Sequence, residues 1–271
     1  YKIKVIITLF VNSKKVFKNK DFKMKKIILG MSIFFIGVFS VFCQELSLSV
    51  EEIMSRYDSN AAYNTAYMKA TLSVKDKFGT NENEFESYRR KNGDTLIIIT
   101  SGADSGQKIL RLENSVYLYY PDAEEIIRLQ GSALKDSVMG SDFTYEDLTG
   151  EEGILDSYNG ELLGTETVDG AECYHVMLTA KTKKQLYQKQ EKFIDKKTFA
   201  EKKCIVYSAS GKAMSESTMS KINKIGKYNI FMEGTMQNLL KKSSVTKMKI
   251  TEIKLDEPIP ESKFSRDELS W

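Results

Sequence analysis

The one histidine, His175, shares a strand face with Cys173 at i, i+2. That spacing could begin a metal site or a thiolate and imidazole pair, but no further His or Cys falls nearby to complete either. A multi-His metal cage is excluded, and the expectation for His175 is a packed strand residue. Asp142, Glu146 and Asp147 could serve as paired acid and base carboxylates or as oxygen ligands for a cation. They lack the alternating Asp and Gly spacing of a calcium loop, so helix-end and loop hydrogen bonding is the expected role. No nucleophile and base stand at a meaningful spacing, which sets a hydrolase aside. The reading is of a protein that is not an enzyme and uses no cofactor or metal.

What the sequence does carry is soft apolar volume. Met177, Met232 and Met236, with Ile230, fall at strand-face spacing, and Val116-Tyr117-Leu118-Tyr119-Tyr120 is a run of aromatics and aliphatics. Met and aromatic side chains line adaptable apolar pockets, although each one alone fits an ordinary core equally well.

The elements that must position these residues follow from periodicity. Val50, Ile53, Met54 and Tyr57 recur at helical spacing, with Ser49 placed to cap and Glu51-Glu52 in the first turn, so one amphipathic helix opens the domain. The period then changes to two. In Met68, Ala70, Leu72 and Val74 apolar residues alternate with Lys69, Thr71 and Ser73. Further strands are expected near 82–91, 94–101, 107–113, 115–120, 124–129, 158–166, 171–180, 187–195, 200–208, 213–224, 228–239 and 244–255. Short polar turns such as Lys91-Asn92-Gly93-Asp94, Glu113-Asn114-Ser115 and Val168-Asp169-Gly170 join them as sequential hairpins. So many antiparallel strands accumulate twist and curl, which makes a concave apolar face. The alternation breaks at 130–157, read as a helical Ala133–Met139 stretch and a loop crossing the barrel mouth. With three prolines, no repeat and no low-complexity linker, residues 44–271 read as one domain.

Met24-Lys25-Lys26 followed by an apolar run from Ile27 to Phe42 has the layout of a signal peptide spanning 24–43 and is too short for a membrane span. Cleavage would leave Gln44 first; the competing reading makes Cys43 a lipidated first residue. Residues 1–23, which precede Met24 and begin with Tyr1, read as upstream translation and stand outside the fold. Removing the nine basic residues and the single acid before Gln44 turns a formal charge of +3 into about −5. A mildly acidic body argues against nucleic acid as a partner. Basic turns at Lys181, Lys183, Lys184 and Lys241-Lys242 could touch anionic headgroups. Cys173 and Cys204 remain, on different strands, with a bridge between them left open.

Tyr117-Leu118-Tyr119-Tyr120-Pro121, Ile126-Ile127-Arg128-Leu129 and Met139-Gly140-Ser141-Asp142-Phe143-Thr144-Tyr145-Glu146-Asp147-Leu148 resemble the LolA-like outer-membrane lipoprotein-sorting family. Weaker similarity runs from Val50 to the closing Phe264–Leu269, with a departure before Leu110, where Ser105-Gly106-Gln107-Lys108 replaces the usual Arg-Gly pair. The resemblance implies a mainly β fold: a strongly curved, unclosed antiparallel half-barrel with an N-terminal helix and a helix and loop lid. It implies a monomeric periplasmic carrier that binds acyl chains of lipoproteins or other lipids, between an inner-membrane exporter and an outer-membrane acceptor. Leu118, Tyr119, Ile126, Met139, Phe143, Tyr145, Leu148, Met177, Met232 and Met236 are the residues expected at the chain or in the lid. The alternative from the same residues is an accessory subunit of a lipid-export system, whose concave face receives a protein segment.

Overall fold

The computed structural model describes residues 48–270 apart from 114, 151, 152, 184, 186, 242 and 243. The expectations for the upstream segment, the signal peptide, Cys43, Lys184 and Lys242 lie outside these residues.

Helix α1, Val50–Ser59, begins where Ser49 Oγ accepts a hydrogen bond from the Glu52 amide at 3.2 Å. Glu51 and Glu52 complement the positive end of the helix and Arg56 the negative end. Its buried residues, Ile53 and Met54, pack on Val176, Leu178 and Ile194.

Thirteen strands follow. They are β1 Thr65–Asp76, β2 Gly79–Arg90, β3 Thr95–Ile99, β4 Lys108–Leu112, β5 Ser115–Tyr120, β6 Glu125–Leu129, β7 Tyr158–Val168, β8 Ala171–Ala180, β9 Lys189–Asp195, β10 Glu201–Tyr207, β11 Ala213–Ile225, β12 Tyr228–Asn238 and β13 Val245–Leu255. Sequence neighbours pair antiparallel within two meanders, β1 to β6 and β7 to β13. The meanders fuse through β1 and β13, with Ala70 opposite Ile250 and Leu72 opposite Met248, beside a bulge at Lys69 and Ala70. The strand order β6-β5-β4-β3-β2-β1-β13-β12-β11-β10-β9-β8-β7 leaves β6 and β7 as free edges, so the sheet curls without closing.

The β1–β5 half of the sheet buries both faces. Ile97, Ile99, Ile109 and Leu118 point into the largest core cluster, on the concave side. Leu96 and Leu110 point the other way and are covered by Leu269 from the C-terminal turns Glu261–Phe264 and Asp267–Leu269. This is why β3 reads Thr-Leu-Ile-Ile-Ile without a polar alternate.

The segment between β6 and β7 forms the lid. The expected helix at Ala133–Met139 is instead a 3-10 turn, Gly131–Lys135, followed by a small hairpin with Ser137 bridged to Thr144. Met139 and Gly140 both adopt left-handed backbone, with φ of 53° and 62°. Two consecutive positive φ values make a mirror-image tight turn, which ends any helix there and drives Val138, Met139 and Phe143 into the core. The helices come later, as α2, Tyr145–Thr149, and α3, Ile154–Ser157. Helix α2 starts with a reciprocal cap in which Thr144 and Asp147 satisfy each other's backbone amides.

Candidate functional site

The concave face encloses a cavity of about 640 Å³. Inward residues of β1, β2, β3 and β13 supply one wall, including Met68, Phe85, Ile97, Met248 and Ile250, and Phe143 and Leu148 of the lid complete it. A cavity of this size walled by aliphatic, Met and Phe side chains is suited to an apolar ligand.

The lining from α1, β9 and β10 carries polar groups. Tyr57 from α1, Gln190 and Lys192 from β9, and Glu201 and Cys204 from β10 all face the cavity. Lys192 forms an ion pair with Glu201 in which the side chains are only 7% and 14% exposed. The same ammonium lies 3.4 Å from the Tyr57 hydroxyl and 3.8 Å from Cys204 Sγ. Burial opposes the charged form of Lys192, but the groups around it, Cys204, Glu201 and Tyr57, outweigh that and hold its pKa well above the ordinary lysine value. Burial pushes the Cys204 thiol up to about 12, so the sulfur is a neutral, unreactive group at physiological pH.

The lid is pinned to both halves of the sheet. Asp142 receives hydrogen bonds from Ser244 Oγ at 2.6 Å and Thr246 Oγ1 at 3.1 Å, and its amide donates to Thr246 Oγ1 at 2.8 Å. Glu146 pairs with buried Arg111 of β4 at 3.1 Å. Asp147 accepts from the Tyr187 hydroxyl at 2.9 Å, and burial pushes its carboxyl up against the hydrogen bonds from Thr144 and Tyr187. The three carboxylates are thus held in helix-end, loop and ion-pair roles. His175 stacks on Phe193 at 4.5 Å with Nδ1 2.9 Å from Glu166, and no cluster of three metal-ligating residues occurs among the described residues. Cys173 and Cys204 are free and buried.

Of the residues singled out from sequence as apolar pocket or lid, Phe143, Leu148, Ile230 and Met236 line the cavity. Leu118 and Met139 are buried in the core cluster behind it, and Tyr145 and Met232 pack against that cluster. Three lie elsewhere. Tyr119 is on the opposite face of β5 from Leu118, in the cluster of Leu269. Ile126 is 40% exposed on edge strand β6. Met177 is on the face of β8 opposite Val176 and Leu178, across from Glu191. Sequence reasoning missed Phe85, Ile97, Met248, Ile250 and the polar lining from α1, β9 and β10. Alternation marked the strand faces but carried no sign of which face turns inward.

An unclosed, curled antiparallel sheet with a capping helix and a pinned lid is the LolA-like half-barrel, and solved structures bear out that fold. A LolA superfamily protein from Nitrosomonas europaea superposes with a TM-score of 0.70 at 20% identity, over 82% of this chain and all of that one (100%). A putative outer membrane lipoprotein-sorting protein domain from Vibrio parahaemolyticus gives 0.74 at 19% identity, over 81% and 97% of the two chains. A DUF1329 family protein from Desulfovibrio piger gives 0.74 at 23% identity, over 80% and 96%. A family model whose description reads "Uncharacterized protein" matches residues 91–271, and the chain belongs to that family. No curated protein matches the sequence.

Proposed function

We propose that the protein is a periplasmic carrier that shields the acyl chains of lipoproteins or other lipids in its concave cavity, and that it performs no catalysis. The observation that carries this reading is the apolar wall of Met68, Phe85, Ile97, Met248 and Ile250 facing about 640 Å³ of space under a lid. At about 0.8 kcal/mol per CH₂, a chain of roughly 16 carbons left in water costs on the order of 12 kcal/mol, so cargo of this kind needs a shield to cross an aqueous compartment. Release is equally necessary. The lid, held by Val138, Met139 and Phe143 in the core together with hydrogen bonds and one ion pair, is the element that moves to let the chain in and out. The lipoprotein-sorting description of one structural neighbour supports the same direction.

Native mass spectrometry of the protein as it is recovered from a bacterial periplasm, followed by solvent extraction, tests the proposal. A stoichiometric lipid or acylated peptide is expected. An empty protein that also refuses added lipid would overturn it. Edge strand β6, with Ile126 and Ile127 each 40% exposed, favours a second reading in which a partner protein docks by strand addition.

A further inference from the structure

We infer that the rim of the sheet made by the β1–β2, β8–β9, β10–β11 and β12–β13 turns docks on an anionic phospholipid surface. Phe78 and Leu240 enter the headgroup layer, and the lysines around them meet its charge. The inference does not depend on what the cavity holds.

Antiparallel pairing brings these turns to one end of the sheet. Lys75 of β1 lies opposite Val245 of β13, Met236 of β12 opposite Thr246, Ser215 of β11 opposite Asn238, and Tyr207 of β10 opposite both Ala213 and Lys189. Successive turns are two strands apart, about 10 Å along the rim. Among the described residues six large apolar side chains stand exposed, and three of them gather here: Phe78 at 85%, Leu240 at 47% and Val245 at 40%. One such residue alone is ordinary, whereas a group on one rim marks a contact surface. The turns themselves hold the two tips outward. Asp76 Oδ1 accepts from the Phe78 and Gly79 amides at 2.7 and 3.1 Å, and Asn238 Oδ1 accepts from the Leu240 and Lys241 amides at 2.9 and 3.1 Å.

The charge of the rim selects the partner. Lys75, Lys77, Lys183, Lys189, Lys212 and Lys241 are all exposed there, while the strand ion pairs use other lysines, Lys69, Lys203, Lys221 and Lys254. The only acid of these four turns, Asp76, is occupied by backbone amides. The other turns at this end, β3–β4 and β5–β6, carry Asp104, Asp122 and Glu124, so the docking footprint stops at the β1–β2 turn and the acidic side tilts away. A protein partner would call for a continuous apolar centre. Here the apolar groups stand on separate tips ringed by long cationic stems, the pattern of an interfacial anchor on anionic lipid. The turn that carries Leu240 also carries Ser244, which donates to Asp142 of the lid at 2.6 Å, so the docked rim is one at which the lid is pinned.

Flotation with vesicles of phosphatidylcholine alone, and of phosphatidylcholine mixed equally with phosphatidylglycerol, tests this on protein whose intact mass excludes a covalent acyl group. At low salt the anionic vesicles should bind at least tenfold more tightly, a preference that fades as salt rises. Phe78→Ser/Leu240→Ser should weaken binding to them by about tenfold. Lys77→Gln/Lys241→Gln should weaken it by roughly thirtyfold, at about fivefold per lysine. Ile126→Ser/Ile127→Ser, equally exposed on β6 but outside the rim, should bind as the parent does. Circular dichroism confirms the fold of each variant. Equal binding to both vesicles, binding that survives both rim variants, or a loss as large in the β6 variant would overturn the inference. Failure to bind either vesicle would also overturn it and leave an acidic protein as the occupant of the rim.

Discussion

Replacing Met68 by Asp places a carboxylate in the apolar wall without removing core volume from behind it, because Met68 is partly buried, packs against the core and lines the cavity. In the empty protein the carboxylate faces cavity water and the fold tolerates it. With an acyl chain in place the group must be neutral, and protonating an aspartate of ordinary pKa near 3.9 at pH 7 costs about 4 kcal/mol. Arg89, which also lines the cavity from β2, is engaged with the Gly150 carbonyl at 2.9 Å and offers limited relief. Palmitate-probe affinity at pH 7 should therefore fall roughly a thousandfold, and the loss should shrink by about tenfold for each pH unit lowered toward 5. Met68→Leu, which keeps the wall apolar, should bind within about threefold of the parent. Fluorescence titration at several pH values measures this, with circular dichroism confirming the fold. Affinity for Met68→Asp within threefold of the parent, or a loss that ignores pH, would refute the placement of the chain against β1.

Ile53, fully buried between α1 and the sheet, should cost about 2–4 kcal/mol when truncated to Ala, read as a lower urea midpoint with unchanged slope. Glu146→Gln removes the charge opposite Arg111, whose Nε and Nη1 already lack partners among the described residues, and should destabilise by about 3 kcal/mol. The double change Arg111→Met/Glu146→Leu should recover most of that, and a double variant as unstable as the single one would contradict the ion-pair account. Burial pulls the Asp94 carboxyl up, but the Glu113 amide, Arg90 and Asn92 outweigh it and hold its pKa below the usual carboxylate value. The folded state then binds fewer protons than the unfolded state, so this stability is complete above about pH 4 and is lost as pH falls through the folded pKa. The destabilisation caused by Asp94→Asn should accordingly be large at pH 7 and shrink as the pH falls below about 4 and through the lowered folded pKa in denaturant titrations.

Period and punctuation made most of the architecture legible. Ser49 marked the start of α1, and the apolar alternation from Met68 through the last strand placed all thirteen strands near their observed bounds. The lid was legible as a break in alternation but not in its form. Ala133–Met139 has helical composition, yet the paired left-handed residues Met139 and Gly140 turn the chain, and the Thr144 and Asp147 cap moves the helix downstream. The site was legible in part, for a geometric reason. In β8 both faces read as apolar, Cys173, His175 and Met177 on one and Tyr174, Val176 and Leu178 on the other, and only packing against α1 selects the second as inward. In β9 the reverse holds: Gln190 and Lys192 look like a solvent face and turn into the cavity because Tyr57 and Glu201 receive them there. Polar residues at a cavity wall carry no periodic signature that separates them from a wet face.

Photo-crosslinking of the full chain with a diazirine-bearing palmitate, followed by peptide mapping, tests the central claim most directly. Competable labels within Met68–Ala70, Phe85–Ser87 and Met248–Ile253, where inward residues line the cavity, are the predicted result. Labels confined to the outer face around Met177 and Tyr119, or labels that unlabelled palmitate cannot compete away, would contradict it.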